Sequence, residues 1–386
     1  MFPKINPPPA AGLLSRRNSG IPRGMNALHR IVLTGGPCGG KTTLLAAVRE
    51  RLASLGFRVY LVPEVATLLA LGGVPLGGNT PDQMALLEGN ILQAQIALED
   101  AFRSVAAAGT GPAVILCDRG TMDASAYLPP ATWQDLMKQR GWSAVELRDS
   151  RYEAVIHLVT AADGAEAFYG TANNAARWET PEQARALDQR LRESWLGHPH
   201  LRVVDNSSDF AGKIRRAVQA VCRVTGIPEP VEVERKFLVR KCPALLPVPH
   251  EEVEIEQTYL QTSDGSEARV RRRGQHGVYV YTHTIKKPLT AGQRIEIERP
   301  IPGREYAELL PLKDPKRRVI RKRRSCFLWE GFYFELDRFL EPRAGLELLE
   351  VELDDEAAKI ALPPWLEIER DVTDDKTYSN FVIASS

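Results

Sequence analysis

Eight residues, GGPCGGKT from Gly35 to Thr42, constrain this chain more than any others. They read G-x-x-x-x-G-K-T, with Gly35, Gly40, Lys41 and Thr42 in the fixed positions. The apolar run Ile31–Thr34 precedes them, and Thr43–Gly56 follows with helical periodicity. Strand, glycine loop and helix form the context in which such a stretch cradles phosphate. Glycines let backbone N–H groups turn inward, and the helix N-terminus adds the positive end of its dipole. Gly35, Gly36, Pro37, Cys38, Gly39 and Gly40, with Lys41, Thr42 and Thr43, are therefore the candidate nucleotide cradle. Lys41 can reach terminal phosphates, and the Thr42 hydroxyl is a candidate Mg²⁺ ligand. The alternative is a glycine-rich turn that binds nothing, and motif and context together speak against it.

A chain of 386 residues, 44% hydrophobic and 26% charged, is expected to form two packed domains. It has no run of about 18 apolar residues to span a membrane. The net charge of +1 hides strong local asymmetry. Five scattered cysteines without a C-x-x-C suggest reduced thiols in a cytoplasmic setting, not a disulfide framework or zinc site. Cys38 is either a reactive thiol in the loop or a small residue that fits. Residues 1–26 are proline-rich, basic and free of acid, as in a disordered tail. A mitochondrial transit peptide is the minor alternative, and the prolines weaken the helix it needs.

Residues 27–226 alternate strand and helix. FRVYLVPEVA (Phe57–Ala66) reads as a strand ending at Pro63-Glu64. A carboxylate past a strand's C-terminal end points into the ligand crevice of an open α/β sheet. Glu64 is thus a candidate base or partner of a Mg²⁺-bound water, with a solvated loop glutamate as the alternative. Thr80-Pro81 opens a helix expected to reach Ala108. AVILCDRG (Ala113–Gly120) is an apolar strand ending in Asp118, a candidate Mg²⁺ ligand, and Arg119, a candidate phosphate or substrate contact. Two further strands are expected at Tyr152–Thr160 and Leu201–Ser207, with His157 a satisfied core histidine. Thr180-x-x-Gln183 starts a helix. Arg177, Arg185 and Arg192 are candidates for a lid over phosphates, or the polar face of that helix.

IPEP (Ile227–Pro230) reads as a stiff linker, and from residue 231 the period changes to two. VEVERKFLV puts Glu232, Glu234 and Lys236 on one strand face. The same parity aligns Arg269, Arg271 and Arg273, then Thr284 and Lys286, and then Lys322 and Arg324. It also aligns Glu335 with Asp337 and Glu350 with Glu352. One charged face is usually a solvated face. Many together suggest a sheet closed on a charged interior, where charges must be paired or bind something. Cations opposite clustered carboxylates suit a polyphosphate bridged by metal.

The first part resembles the P-loop kinase-like family that includes ribosylnicotinamide kinases, through GGPCGGKT, Pro63-Glu64, Asp118-Arg119-Gly120 and the arginine-bearing lid. The second resembles CYTH domains, the triphosphate tunnel metalloenzymes, through the E-x-E-x-K at 232–236 and the later R-x-R, K-x-R, ELD and E-x-E elements. Together they imply an α/β P-loop domain, with a parallel sheet and flanking helices, followed by an eight-stranded antiparallel β tunnel over 231–386. The CYTH resemblance implies that Glu232, Glu234, Asp337, Glu350 and Glu352 hold Mg²⁺ or Mn²⁺. It also implies that Lys236, Arg269, Arg271, Lys286, Lys322 and Arg324 grip a triphosphate. The domain order is similar to that of the eukaryotic TRPL-translocation-defect GTP-binding proteins.

Two functions are expected to compete. One is a metal-dependent triphosphatase tunnel joined to a module that binds ATP or GTP. The other is a nucleotide-gated regulator that touches anionic phospholipid with little turnover. Lys313–Arg324 carries eight basic residues and one acid, which supports an anionic surface as partner. Aromatics are not interleaved through it, so nucleic acid is not expected. TAAD (Thr160–Asp163) lacks the lysine of a guanine clamp, so the base is left open.

Overall fold

Each apolar run before a motif becomes a strand of one parallel sheet. The computed structural model describes residues 28–169, 180–227, 233–262, 266–290, 293–353 and 359–385. Strands β1 (Leu28–Gly35), β2 (Arg58–Val62), β3 (Ala113–Asp118), β4 (Ala154–Leu158) and β5 (Leu201–Val204) lie in the order β2-β3-β1-β4-β5. The connections are α1 (Lys41–Ser54), α2 (Val65–Leu71), α3 (Pro81–Ala108), α4 (Pro130–Arg140) and α5 (Pro181–Glu193), and α6 (Phe210–Val224) follows β5. Ile31 and Leu33 pack with Leu44, Val48 and Val221 on one face, while Val32 and Ile115 pack with Leu92 and Trp195 on the other. A sheet buried on both faces needs continuous apolar strands, which is how these segments read.

The expected helix starts at Thr80 and Thr180 are both present as capping boxes, with Gln83 and Gln183 closing them. The strand expected to end at Pro63-Glu64 ends at Val62, and α2 begins at Val65. Pro63 has no N–H for the ladder, so the chain turns there. Glu64 becomes the N-cap residue of α2.

The second sheet is antiparallel, in the order β10-β9-β8-β7-β11-β12-β13-β6-β14. Its strands are β6 (Val233–Lys241), β7 (His250–Leu260), β8 (Glu267–Gln275), β9 (Val278–Thr290) and β10 (Gln293–Ile301). They continue, after α7 (Gly303–Leu309), with β11 (Ile320–Trp329), β12 (Phe332–Glu341), β13 (Glu347–Leu353) and β14 (Glu367–Asp371), before α8 (Asn380–Ile383). The resemblance implies eight strands; seven are legible by their alternating charges, and β7 brings β6 to β13 to eight. A ninth, β14, pairs with β6 at the edge. Its EIERD has a single apolar residue, Ile368, and so no alternation to read. Phe327, Phe334, Leu336, Leu349 and Val351 form one core on the apolar side of this sheet. Glu335 and Asp337, between or beside them in sequence, point the other way.

The two sheets meet at a polar contact. Asp149 accepts bonds from Arg148 Nε at 2.7 Å and from Arg273 Nη1 of β8 at 3.0 Å. Arg148 Nη2 also donates to Gln275 at 2.9 Å. Tyr333 Oη donates to His198 O at 3.1 Å and accepts from Gly197 N at 3.2 Å. Arg148, Asp149 and Arg273 are all buried, so one carboxylate ties two guanidiniums together away from solvent.

Candidate functional sites

The glycine loop sits between β1 and α1, in the middle of the parallel sheet. Gly35 has φ of +138°, and a Cβ there would lie 2.1 Å from Leu158 O. No other residue fits so close a crossing of β4. Lys41 folds back, its Nζ 3.1 Å from Gly35 O. Burial, aided by the charge of Arg119, lowers its ammonium to about 8. Thr42 and Thr43 are exposed at the start of α1. The parallel register sets Leu33 beside Asp118, which brings the end of β3 to the loop. Asp118 Oδ1 is buried without a hydrogen-bond partner, and burial raises its carboxyl above the usual range.

Arg119 adopts a left-handed backbone, φ 69°, and its Nε donates to Glu64 Oε1 at 2.6 Å. Burial pushes Glu64 up, but Arg119 and the Thr67 hydroxyl overcome it and hold the carboxyl at about 2. A carboxylate so acidic is a poor proton acceptor near neutrality, and here it accepts from the Arg119 guanidinium.

Two buried carboxylates support this loop, and neither is evident in the motifs. Asp188 Oδ1 accepts from Gly36 N at 2.8 Å and Thr160 N at 3.1 Å, and lies 3.0 Å from His157 Nε2. Asp123 accepts from Thr34 Oγ1 at 2.7 Å, Gly120 N at 3.0 Å and Trp195 Nε1 at 2.8 Å. Asp188 lies on the face of α5 that buries Ala184, Leu187 and Leu191, which is the sequence signal that could have found it. His157 is a core histidine as expected, although its Nδ1 is buried without a partner. Arg185 donates to Ala162 O at 2.7 Å and pairs with Glu182. Arg192 pairs with Asp188 and Asp163. Arg177 lies outside the described residues.

The second site is a cavity of about 780 Å³ within the antiparallel sheet, reached by strands β6 to β13. Alternation brings Lys236, Arg269, Arg271, Lys286, Lys322 and Arg324 to one space, with Glu234, Glu335, Glu350 and Glu352. Lys236 Nζ lies 2.8 Å from Glu350 and 3.4 Å from Glu234. Arg324 reaches Glu350 at 2.9 Å and Asp337 at 2.7 Å, and also bonds Glu335. Asp337 is fully buried and bonded by Lys322 as well. It is therefore a clamp on two cations rather than an open ligand. Arg271 donates to Glu298 at 3.0 Å. Packing around Arg271 lowers its pKa, and its neighbours Arg269 and Arg324 add to this against the opposing charge of Glu298.

The carboxylates are less gathered than expected. Glu232 lies outside the described residues. Glu352 is paired with Arg202 of β5. Among the described residues, no three His, Cys, Asp or Glu side chains form a metal-holding group. Glu234 and Glu350 remain close enough to feel each other. Burial and the charge of Glu350 raise the Glu234 carboxyl, while Lys236, Lys322 and Arg324 hold Glu350 low against its burial.

The Lys313–Arg324 stretch is partly used by the fold. Arg317 donates to Phe381 O and Ser385 Oγ, Arg321 pairs with Glu256, and Lys322 and Arg324 face the cavity. Lys313, Lys316, Arg318 and Arg323 are exposed. No described helix is long and apolar enough to cross a membrane.

A parallel sheet with a glycine loop at its centre, followed by an antiparallel sheet around a charged cavity, defines a P-loop-type domain fused to a β tunnel. The chain belongs to the CYTH family, whose domain model matches residues 231–379, and an AAA domain model matches residues 30–213. An inorganic triphosphatase of Nitrosomonas europaea is 38% identical over 160 residues, covering 40% of this chain and 97% of its own. An inorganic triphosphatase of Acetivibrio thermocellus is 38% identical over 124 residues, covering 32% of this chain and 75% of its own. A solved inorganic triphosphatase aligns at 34% identity over 41% of this chain and 97% of its own, with a TM-score of 0.32. The likeness to the TRPL-translocation-defect proteins rests on motif order alone.

Proposed function

We propose that the cavity binds and hydrolyses a triphosphate with a divalent cation, and that the glycine loop binds Mg²⁺-ATP or Mg²⁺-GTP. One observation carries the first part. Arg271 lines the cavity with Arg269 and Arg324, and its pKa is depressed in spite of Glu298. A polyanion between these guanidiniums relieves both burial and mutual repulsion. Two relatives called inorganic triphosphatases support the same reading.

The donor chemistry fits a divalent cation. Glu234 and Glu350 are hard oxygen donors whose mutual repulsion already raises one of them. Such an ion would serve as a Lewis acid for the bound phosphates. At the loop, the unpartnered Asp118 Oδ1 and the Thr42 hydroxyl suit the same kind of ion.

The side chains divide the remaining work. Arg269, Arg271 and Lys286 grip the phosphate oxygens, while Asp337 holds Lys322 and Arg324 in line. Lys236 stays protonated, because Glu350 and Glu234 raise its pKa against its burial. It is thus a charge partner rather than a base.

The test is hydrolysis of inorganic triphosphate, thiamine triphosphate, ATP and GTP by the full chain, with Mg²⁺ or Mn²⁺. The reading expects phosphate release that Arg271→Ala abolishes and Lys41→Ala leaves intact. Absence of release and of binding for every triphosphate would sink it. The exposed Lys313, Lys316, Arg318 and Arg323 support the regulatory reading, in which the protein docks on anionic phospholipid. Equal sedimentation with anionic and neutral liposomes would eliminate that reading.

A further inference from the structure

The cavity is not built by the antiparallel sheet alone. Pro199, His200 and Arg202, all from the turn and strand β5 of the parallel sheet, line it. The turn is pinned there. Tyr333 of β12 holds Gly197 N and His198 O, and Arg273 of β8 bonds Gly197 O. The adjoining Arg148–Asp149–Arg273 contact is buried, so the turn cannot swing away without breaking ion pairs and exposing charge. Arg202 is thereby delivered to the cavity from a different domain, where it pairs with Glu352. Glu352 is about two-fifths exposed and Arg202 about one-fifth, so this pair faces the open space rather than the core.

We propose that Arg202 is a triphosphate-binding residue, contributed to the tunnel by the P-loop domain. The inference rests on the triphosphate reading of the cavity. With the cavity free of ligand, Glu352 takes the guanidinium. A divalent cation held by the carboxylates would compete with Arg202 for Glu352, leaving the guanidinium able to bond phosphate oxygens. A guanidinium offers a planar pair of donors that suits phosphate as well as carboxylate, so the exchange conserves hydrogen bonds. His200 and Pro199 line the same wall. The P-loop domain therefore supplies part of the cavity lining, which makes tunnel affinity a property of the whole chain.

The exchange makes an unusual demand on one variant. Arg202→Ala removes a phosphate contact and at the same time frees Glu352 for metal. In the full chain it should weaken inorganic triphosphate about 10- to 100-fold, read as KM and as binding by calorimetry. Mn²⁺ alone should stabilise the variant at concentrations about two- to fivefold lower than the wild type needs, read by thermal melt. Arg202→Lys should recover part of the triphosphate affinity. A merely structural role would weaken metal and triphosphate together. Triphosphate affinity unchanged in Arg202→Ala, or both affinities falling, would overturn the inference while leaving the hydrolytic reading intact. If wild type and Arg271→Ala alike ignore triphosphate, the hydrolytic reading fails and this inference falls with it.

Discussion

The Asp188 carboxylate accepts the Gly36 backbone N–H at 2.8 Å, so the second glycine of the phosphate loop is held by a side chain from α5. The same oxygen accepts Thr160 N, and His157 Nε2 lies beside it. One buried atom thus fixes the loop, the segment after β4 and the helix that carries Arg185 and Arg192. Asp188→Ala would strand these donors away from water and should cost about 3 kcal/mol. Asp188→Asn should cost less, because an amide oxygen can still accept. Denaturant titrations check the order, and equal losses for the two variants would contradict it.

Lys41 offers a pH-dependent test. Its ammonium titrates near 8 in the fold against an ordinary 10.5. Below pH 8 both folded and unfolded chains hold the proton, and the fold carries the penalty of a buried charge. Between pH 8 and 10.5 the folded chain sheds the proton first, so stability rises with pH. Lys41→Met should therefore melt higher than wild type at pH 7 without ligand. Its advantage should shrink as pH climbs through this window, while binding of Mg²⁺-ATP and Mg²⁺-GTP is lost.

Glu64 works in the opposite direction. Its carboxyl is held at about 2 against an ordinary 4.5, so the stability it lends is complete above 4.5 and is lost as pH falls toward 2. Glu64→Gln should flatten the acid limb of the melting profile in that window. An unchanged limb would mean that Arg119 does not lean on Glu64.

Lys236 lies between Glu234 and Glu350 and damps their repulsion. Lys236→Ala should lower the metal-free melting temperature, enlarge the stabilisation given by Mn²⁺, and weaken inorganic triphosphate. Glu234→Gln should do the reverse to the first two, raising the metal-free melt and shrinking the Mn²⁺ shift. Thermal melts with and without Mn²⁺ separate them, and the same sign of change in both variants would refute the arrangement.

Much of this was legible because both halves use strict local periods. The glycine loop and Asp118 follow from strand ends, and the cavity cations follow from alternation on β8, β9 and β11. What the sequence hid lies in tertiary pairing. Asp337 shares the parity of a ligand, yet Lys322 and Arg324 close over it. Glu352 has the parity of a ligand too, and its partner comes from 150 residues earlier in the chain. No local pattern announces Arg202, because one arginine on a short parallel strand looks like any surface cation.

The buried contact of Arg148, Asp149 and Arg273 bears on how such a chain can be taken apart. Severing it between residues 227 and 233 separates the halves on paper, but Arg273 would then enter water without Asp149, and Asp149 would keep only Arg148. Each fragment would present a formerly dry ionic seam to solvent and would be prone to cling to foreign partners. Grafting this tunnel onto another scaffold would require carrying the 148–149 turn and the 197–202 strand entry with it, as a keystone travels with its arch.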